Sequence, residues 1–197
     1  MQRAILAPHN DSVGQINKLL AEKLPTQTHT YTAIKSVVDE EQAVQFPVEF
    51  LNSIEVSGLP PHVLDLKCGM PVMLLRSIKP PELMNGTRCI IHKCNRHFVE
   101  GIYSGQHNSI PRIPLRPSDT MFPFQFERKQ FPLRPCFAMT INKAQGQTLK
   151  VIGLDLRQPI FAHGMLYVAL SRTGKEDSIT TLSSQRLARN VVYTEVL

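Results

Sequence analysis

The sequence predicts an α/β fold interrupted by a β-rich insert, and three observations carry that reading. The chain opens as strand, tight turn and helix: Ala4-Ile5-Leu6-Ala7, then Pro8-His9-Asn10, then an amphipathic run to Leu24. Residues 58–135 differ in texture, with most of the 15 prolines and several short apolar runs. From Cys136 onward strand and helix alternate again. A strand leading directly into a capped helix is the unit of a mostly parallel sheet, with its loop at the ligand-binding edge. The expected organisation is therefore a split α/β domain, residues 1–57 and 133–197, around an insert at 58–132.

The elements follow in order. In the first helix Val13, Ile16, Leu19, Leu20 and Leu24 fall on one face, Asn10 or Asp11 can cap the start, and Pro25 stops the run. Asn10 is either that cap and nothing more, or a contact from the loop after the first strand to a nucleic acid or nucleotide. The insert offers Val72-Met73-Leu74-Leu75, the turn Asn85-Gly86, and strands at Arg88–His92 and Phe98–Tyr103. Short strands with frequent turns suggest a small β-barrel or another β-rich insertion. Phe122, Phe124 and Phe126 alternate with a period of two, the pattern of one buried strand face. The basic residues among them, Arg112, Arg116, Arg128, Lys129 and Arg134, are candidates for a single-strand channel. The third zone reads as strand Cys136–Met139, a helix start, strand Val151–Leu156, and a helix near Gly164–Ser171.

Composition bounds the function. The 197 residues include 42% hydrophobic and 19% charged, enough apolar surface for a core and too little charge for a disordered chain. A net charge of +6 with an isoelectric point near 9.3 favours polyanionic partners. No apolar run approaches the ~20 residues of a membrane span, so no membrane partner is expected. Met1-Gln-Arg is followed by only four apolar residues before Pro8, too few for a secretory signal. Cysteines at 68, 89, 94 and 136 without such a signal point to a reducing, intracellular compartment. Nucleus, cytosol and organelle all stay open on the residues, and the nucleus is the expectation adopted.

The chemistry concentrates in Phe137-Ala-Met-Thr-Ile-Asn-Lys-Ala-Gln-Gly-Gln-Thr-Leu149 and Leu166-Tyr-Val-Ala-Leu-Ser-Arg172. Thr140, Asn142 and Lys143 stand where a buried strand breaks. Hydroxyl, amide and ammonium groups there can hold phosphates without reading bases. Gly146 permits close backbone approach or a positive φ, and the amides of Gln145 and Gln147 flank it. Arg172 ends an apolar helix, where a planar guanidinium can neutralise charge on a transferring phosphoryl group. The plain alternatives are a capped helix with a solvated lysine, a glycine terminator, and a helix-end arginine.

These strings resemble late motifs of superfamily 1 DNA helicases. With Glu49–Ser53, Ser57-Gly-Leu-Pro-Pro-His62, Leu66–Arg76 and Asn85-Gly-Thr-Arg88, the likeness runs in order over nearly the whole chain. It is to the petite-integration-frequency (Pif) family, in its Helitron-associated branch of 5′-to-3′ DNA helicases. The resemblance implies a second RecA-like motor domain with a small Src-homology-like barrel as insert. It further implies that Thr140, Asn142 and Lys143 grip single-stranded DNA; Asn10 joins them as a DNA-binding candidate from its loop position. Gln145, Gly146 and Gln147 would then link that grip to the nucleotide, and Arg172 would be a catalytic arginine finger.

Two pieces of such an enzyme are not found in this sequence. There is no G-x-x-x-x-G-K-[ST]; Gly174-Lys175 is followed by Glu176. Val37-Val38-Asp39-Glu40 follows no phosphate loop, and Asp155 lies after the DNA-grip motif rather than before it. ATP and Mg²⁺ are therefore expected only with a missing N-terminal motor domain, which becomes an expected partner beside single-stranded DNA. The expected function is the C-terminal motor half of a DNA helicase, unable to hydrolyse ATP alone. The alternative is a non-catalytic single-strand-binding module or a decayed transposon-derived remnant. No metal is expected: Cys89, His92, Cys94 and His97 supply ligand types, but positions 89 and 92 point to opposite faces of a strand.

Overall fold

The computed structural model describes residues 2–37, 50, 58–117, 126–184 and 189–193. In chain order the strands and helices begin with β1 (Arg3–Ala7), α1 (Asn10–Lys23), β2 (Thr28–Thr32), β3 (Ile34–Val37), β4 (Val63–Lys67), β5 (Pro71–Leu74), β6 (Arg88–Cys94) and β7 (Phe98–Tyr103). They continue with β8 (Gln106–Pro111), β9 (Ile113–Leu115), β10 (Phe126–Gln130), β11 (Leu133–Pro135), β12 (Ala138–Thr140), β13 (Val151–Leu156), α2 (Met165–Leu170) and β14 (Ile179–Ser183). They form two compact units, one of residues 1–24 and 135–197, the other of 25–134.

The first unit is α/β, built on a parallel sheet of order β12-β1-β13-β14. Its inner strands carry the apolar runs that covered parallel strands require: Leu6 and Ala7 are fully buried, as are Ile152 and Leu154 nearly so. Helix α1 rests on this sheet through Val13 and Ile16, which pack with Ala7 and Ala138, while Ile5 and Leu20 border the cluster. Leu19, expected on that face, is 55% exposed; its position on the helix turns it outward from the Val13–Ile16–Leu20 stripe. The helix start also differs from expectation. His9 stands at the N-cap in extended conformation and makes no side-chain capping bond, and Asn10 is the first helical residue.

A buried asparagine secures the helix to the sheet. Asn17 Nδ2 donates to Ala138 O at 3.0 Å, and Ala138 N donates to Asn17 Oδ1 at 2.8 Å. The register pairs Ile5 with Ala138, and Ile5 N takes Phe137 O. The backbone groups of Ala138 therefore point away from β1, along the edge of the sheet. One carboxamide satisfies both, in the manner of a paired strand residue.

In the second unit the pairings β3–β10, β10–β9, β2–β4, β5–β6, β6–β7 and β7–β8 are antiparallel. Among the described residues its strands form sheets of order β11-β5-β6-β7-β8, β3-β10-β9 and β2-β4, rather than one closed barrel. The change between units comes at residue 25, earlier than the expected 57. The reason is pairing: β2 bonds to β4 and β3 to β10, so residues 28–37 belong with the insert strands. Phe126 is buried as the alternation suggests, and so is Phe131; Phe122 and Phe124 lie outside the described residues, as do Val38-Asp39-Glu40.

Two tests follow. Asn17→Leu leaves both backbone groups of Ala138 without partners, and each buried unsatisfied group costs about 1–3 kcal/mol. Chemical denaturation should show a loss of roughly 2–5 kcal/mol, and an unchanged midpoint would remove Asn17 from this role. The second concerns Asp155, a buried β13 carboxylate. Arg157 donates Nε to Oδ1 and Oδ2 at 3.0 and 3.2 Å and Nη2 to Oδ2 at 2.7 Å. This side-chain bonding holds its pKa below the ordinary aspartate value against the opposing effect of burial. A depressed folded-state pKa stabilises above the unfolded value, near about 3.9, and that contribution fades as pH falls through the lowered one. Asp155→Asn should flatten the stability profile below about pH 5; an unaltered profile would contradict the pairing.

Candidate functional site

The segment after β12 winds tightly because of what its residues bury. Ile141 and Ala144 are fully buried, three positions apart, which a 3₁₀ turn places on one face. That turn, Ile141–Ala144, replaces the longer helix expected here. Thr140 caps it, its Oγ1 accepting a long 3.4 Å bond from Lys143 N. With the apolar pair facing inward, the side chains of Asn142, Lys143 and Gln145 are exposed. Gly146 ends the turn at φ +77°, a conformation few side-chain-bearing residues adopt.

From there hydrogen bonds run to Arg172. Gln147 Nε2 donates to Lys143 O at 3.1 Å, and Gln147 O accepts from Arg172 Nη1 at 3.4 Å. Leu149 N donates to Arg172 O at 2.8 Å. The arginine is further held by Nε to Val168 O at 2.8 Å and Nη2 to Ser171 Oγ at 2.8 Å. Ser171 both orients Arg172 and bonds within its own helix, since its hydroxyl also donates to Val168 O at 3.1 Å. Of five guanidinium N–H groups three are engaged and two remain to meet an anion. Helix α2 supports this root by burying Met165 and Ala169, one turn apart, while Tyr167 is 74% exposed.

Strand register gives the arrangement its direction. Thr140 pairs with Ala7 at the carboxyl end of β1, whereas Val151 pairs with Arg3 at the amino end. Four residues of a strand are about 13 Å. The stretch Ile141–Lys150 therefore crosses the sheet from carboxyl to amino edge, where Lys150 N bonds Gln2 O at 2.7 Å. Asn10, which opens α1 after the short loop that follows β1, shares the carboxyl edge with Thr140 and is exposed. The site thus joins two ends: polar and cationic groups at one edge, and an anchored arginine tied to the segment's other end.

Sequence reading missed a feature at the carboxyl edge. His9 Nε2 bonds Pro159 O at 2.9 Å, and its ring lies 5.0 Å from that of Phe161. This joins the loops after β1 and β13, strands whose following sheet strands, β12 and β14, lie to opposite sides. Only the strand-end positions of His9 and Phe161 hinted at it, because 150 residues separate the bonded pair.

In the second unit the basic residues divide. Arg128 is buried, donating Nη1 to Pro60 O at 2.6 Å, so it is withdrawn from any channel. Arg112 donates to Thr32 O at 2.8 Å and lies over the Tyr31 and Phe131 rings, and Arg116 pairs with Glu127 at 2.9 Å. Lys129 and Arg134 are exposed. The run 89–97 does not converge on a metal: Cys89 is buried while His92 and His97 are exposed. Burial pushes the Cys89 thiol up to about 11, and burial, with Cys68 nearby, does the same to Cys94.

Comparison with known proteins places this geometry. Residues 49–93 match the family model "DNA helicase Pif1, 2B domain". The human ATP-dependent DNA helicase PIF1 is 26% identical over 192 residues, covering 93% of this chain and 28% of that protein. The Campylobacter jejuni ATP-dependent DNA helicase Pif1 is 32% identical over 212 residues, covering 98% of this chain and 45% of the relative. The chain thus spans less than half the length of either. A Bacteroides Pif1 helicase crystallised with ADP-AlF3 and single-stranded DNA shares the fold, with a TM-score of 0.72 at 20% identity, over 98% of this chain and 43% of that one.

The glycine offers a local test. A Cβ at Gly146 would meet nothing within 4 Å, so Gly146→Ala should cost only the left-handed backbone penalty of about 1–2 kcal/mol. A denaturation midpoint equal to the parent's would show that the turn relaxes instead. Sequence likeness over most of the chain and the parallel-sheet unit point the same way: the chain is similar over nearly its whole length to Pif1 helicases, and residues 49–93 match the 2B domain of that family.

Proposed function

We propose that this chain is the second motor portion of an ATP-dependent DNA helicase with its β-rich insert, moving 5′-to-3′ as the family resemblance implies. Thr140, Asn142 and Lys143, with Asn10 at the same sheet edge, grip the single-stranded backbone. Gln145, Gly146 and Gln147 link the grip to Arg172, which serves as the arginine finger toward a nucleotide held against another motor domain. The observation that carries this reading is the hydrogen-bonded path from Lys143 through Gln147 to Arg172. A shift at one sheet edge has a bonded route to the other along that path.

The chain's residues fit one flank of a triphosphate and not the whole cradle. Arg172 has two N–H donors to spare, but no phosphate-loop motif occurs in the sequence. Asp155, the buried strand carboxylate, is taken up by Arg157. Mg²⁺ and the phosphate loop thus belong to the domain this one would work with. The Bacteroides relative was crystallised with both single-stranded DNA and ADP-AlF3, which supports the two-ended reading.

The test uses a helicase joining this chain to a motor domain that bears the phosphate loop. Arg172→Ala should lower DNA-stimulated ATP hydrolysis by about 10³–10⁵ while leaving single-strand affinity within a few fold. Lys143→Ala should instead weaken DNA binding across sequences and reduce the salt slope by about one. Full turnover in Arg172→Ala, or an unchanged salt slope in Lys143→Ala, would refute the respective role.

A further inference from the structure

The second unit brings together three metal-binding side chains that sequence spacing separates. His92 on β6, Glu100 on β7 and His107 on β8 have ligand atoms all within 4.8 Å of one another. His107 Nδ1 lies 2.5 Å from Glu100 Oε1, and the His92 and His107 rings are 4.6 Å apart at 79°. We propose that these three residues form a binding site for a borderline divalent cation such as Zn²⁺.

The sheet explains how the cluster arises. In the register, Glu100 pairs with Ser109 and Ile102 with His107. Glu100 and Ile102 lie two apart on one face of β7, so His107 is a diagonal neighbour of Glu100 on that face. The β6–β7 register shifts between Ile91 and Lys93, a bulge that leaves His92 as the extra residue. Ile91 is buried, but His92 and Lys93 are both exposed. A bulge re-aims a side chain in this way, and here it brings His92 to the face that carries Glu100.

The donor set suits the cation. Two imidazoles and one carboxylate are a common zinc set, with the fourth position left to water or another ligand. Cys89, Cys94 and Cys68 take no part, so the site is of nitrogen and oxygen alone. The competing arrangement is a plain His107–Glu100 pair with His92 as a bystander and Lys93, opposite Glu100 in register, as a second cation. Three ligands from three strands would tie β6, β7 and β8 together, and a cation that binds only the folded chain raises its thermal midpoint.

The experiment titrates the reduced full chain with Co²⁺ and then Zn²⁺. The expected result is one equivalent bound, visible d–d absorption without a thiolate-to-cobalt band, and a higher thermal midpoint. His92→Ala, His107→Ala and Glu100→Gln should each weaken binding by at least about tenfold, whereas the double variant Cys68→Ser/Cys94→Ser should bind as the parent does. Glu100→Gln keeps a hydrogen-bonding group beside His107 and so serves where a histidine variant fails to fold. Absence of saturable binding, parent-like affinity in Glu100→Gln, or a thiolate band would each overturn the site.

Discussion

The organising interaction of the α/β unit is the pair of hydrogen bonds that hold Arg172 to the segment before β13. Gln147 O receives the guanidinium, and Leu149 N donates to the arginine's own carbonyl. Without them Arg172 would be held only by its own helix end, through Val168 O and Ser171 Oγ, with neither of these bonds to the stretch that crosses the sheet. With them, a residue that could meet a phosphate is tied to the same ten-residue stretch whose start carries Asn142 and Lys143. The parallel sheet supplies the rest of the constraint, because the two ends must fall on opposite edges once Thr140 pairs with Ala7 and Val151 with Arg3.

Rigidity and exposure are divided along that stretch. Ile141 and Ala144 are buried without residue accessibility, and Leu149 nearly so, so the backbone path is anchored in the core. The chemistry-bearing side chains of Asn142, Lys143 and Gln145 lie outside it. Gly146 is left-handed, with open space where a side chain would stand. Asn17 does a related task from the other side, since its carboxamide keeps β12, and with it Thr140, in register against α1.

Much of the α/β unit is legible in the sequence because its signals are local. The strand Val151–Leu156 appears with the expected bounds, and the Gly164–Ser171 helix as Met165–Leu170. Arg172 and Gln147 were singled out separately, but their bond spans 25 residues and no periodicity encodes it. Other misses have the same origin. The sequence around Asn10 looks like a cap, yet His9 takes the cap position because the chain stays extended one residue fewer. Arg128 looks like a channel residue until β10 pairing turns it inward toward Pro60 O. His92, Glu100 and His107 become neighbours only through strand register and a bulge. Residues 25–37 read as motor-like until their pairing partners, β4 and β10, are known.

The central claim is that DNA grip and nucleotide contact are energetically coupled through Arg172. The most direct measurement is single-stranded DNA affinity, with and without a transition-state nucleotide analogue, in a helicase containing this chain and a phosphate-loop domain. Coupling between sites of this kind is about 1–3 kcal/mol, or roughly 5–150-fold in affinity. The account predicts a change of that order in the parent and its loss in Arg172→Ala, with the analogue-free affinity kept. An equal change in parent and variant would contradict it.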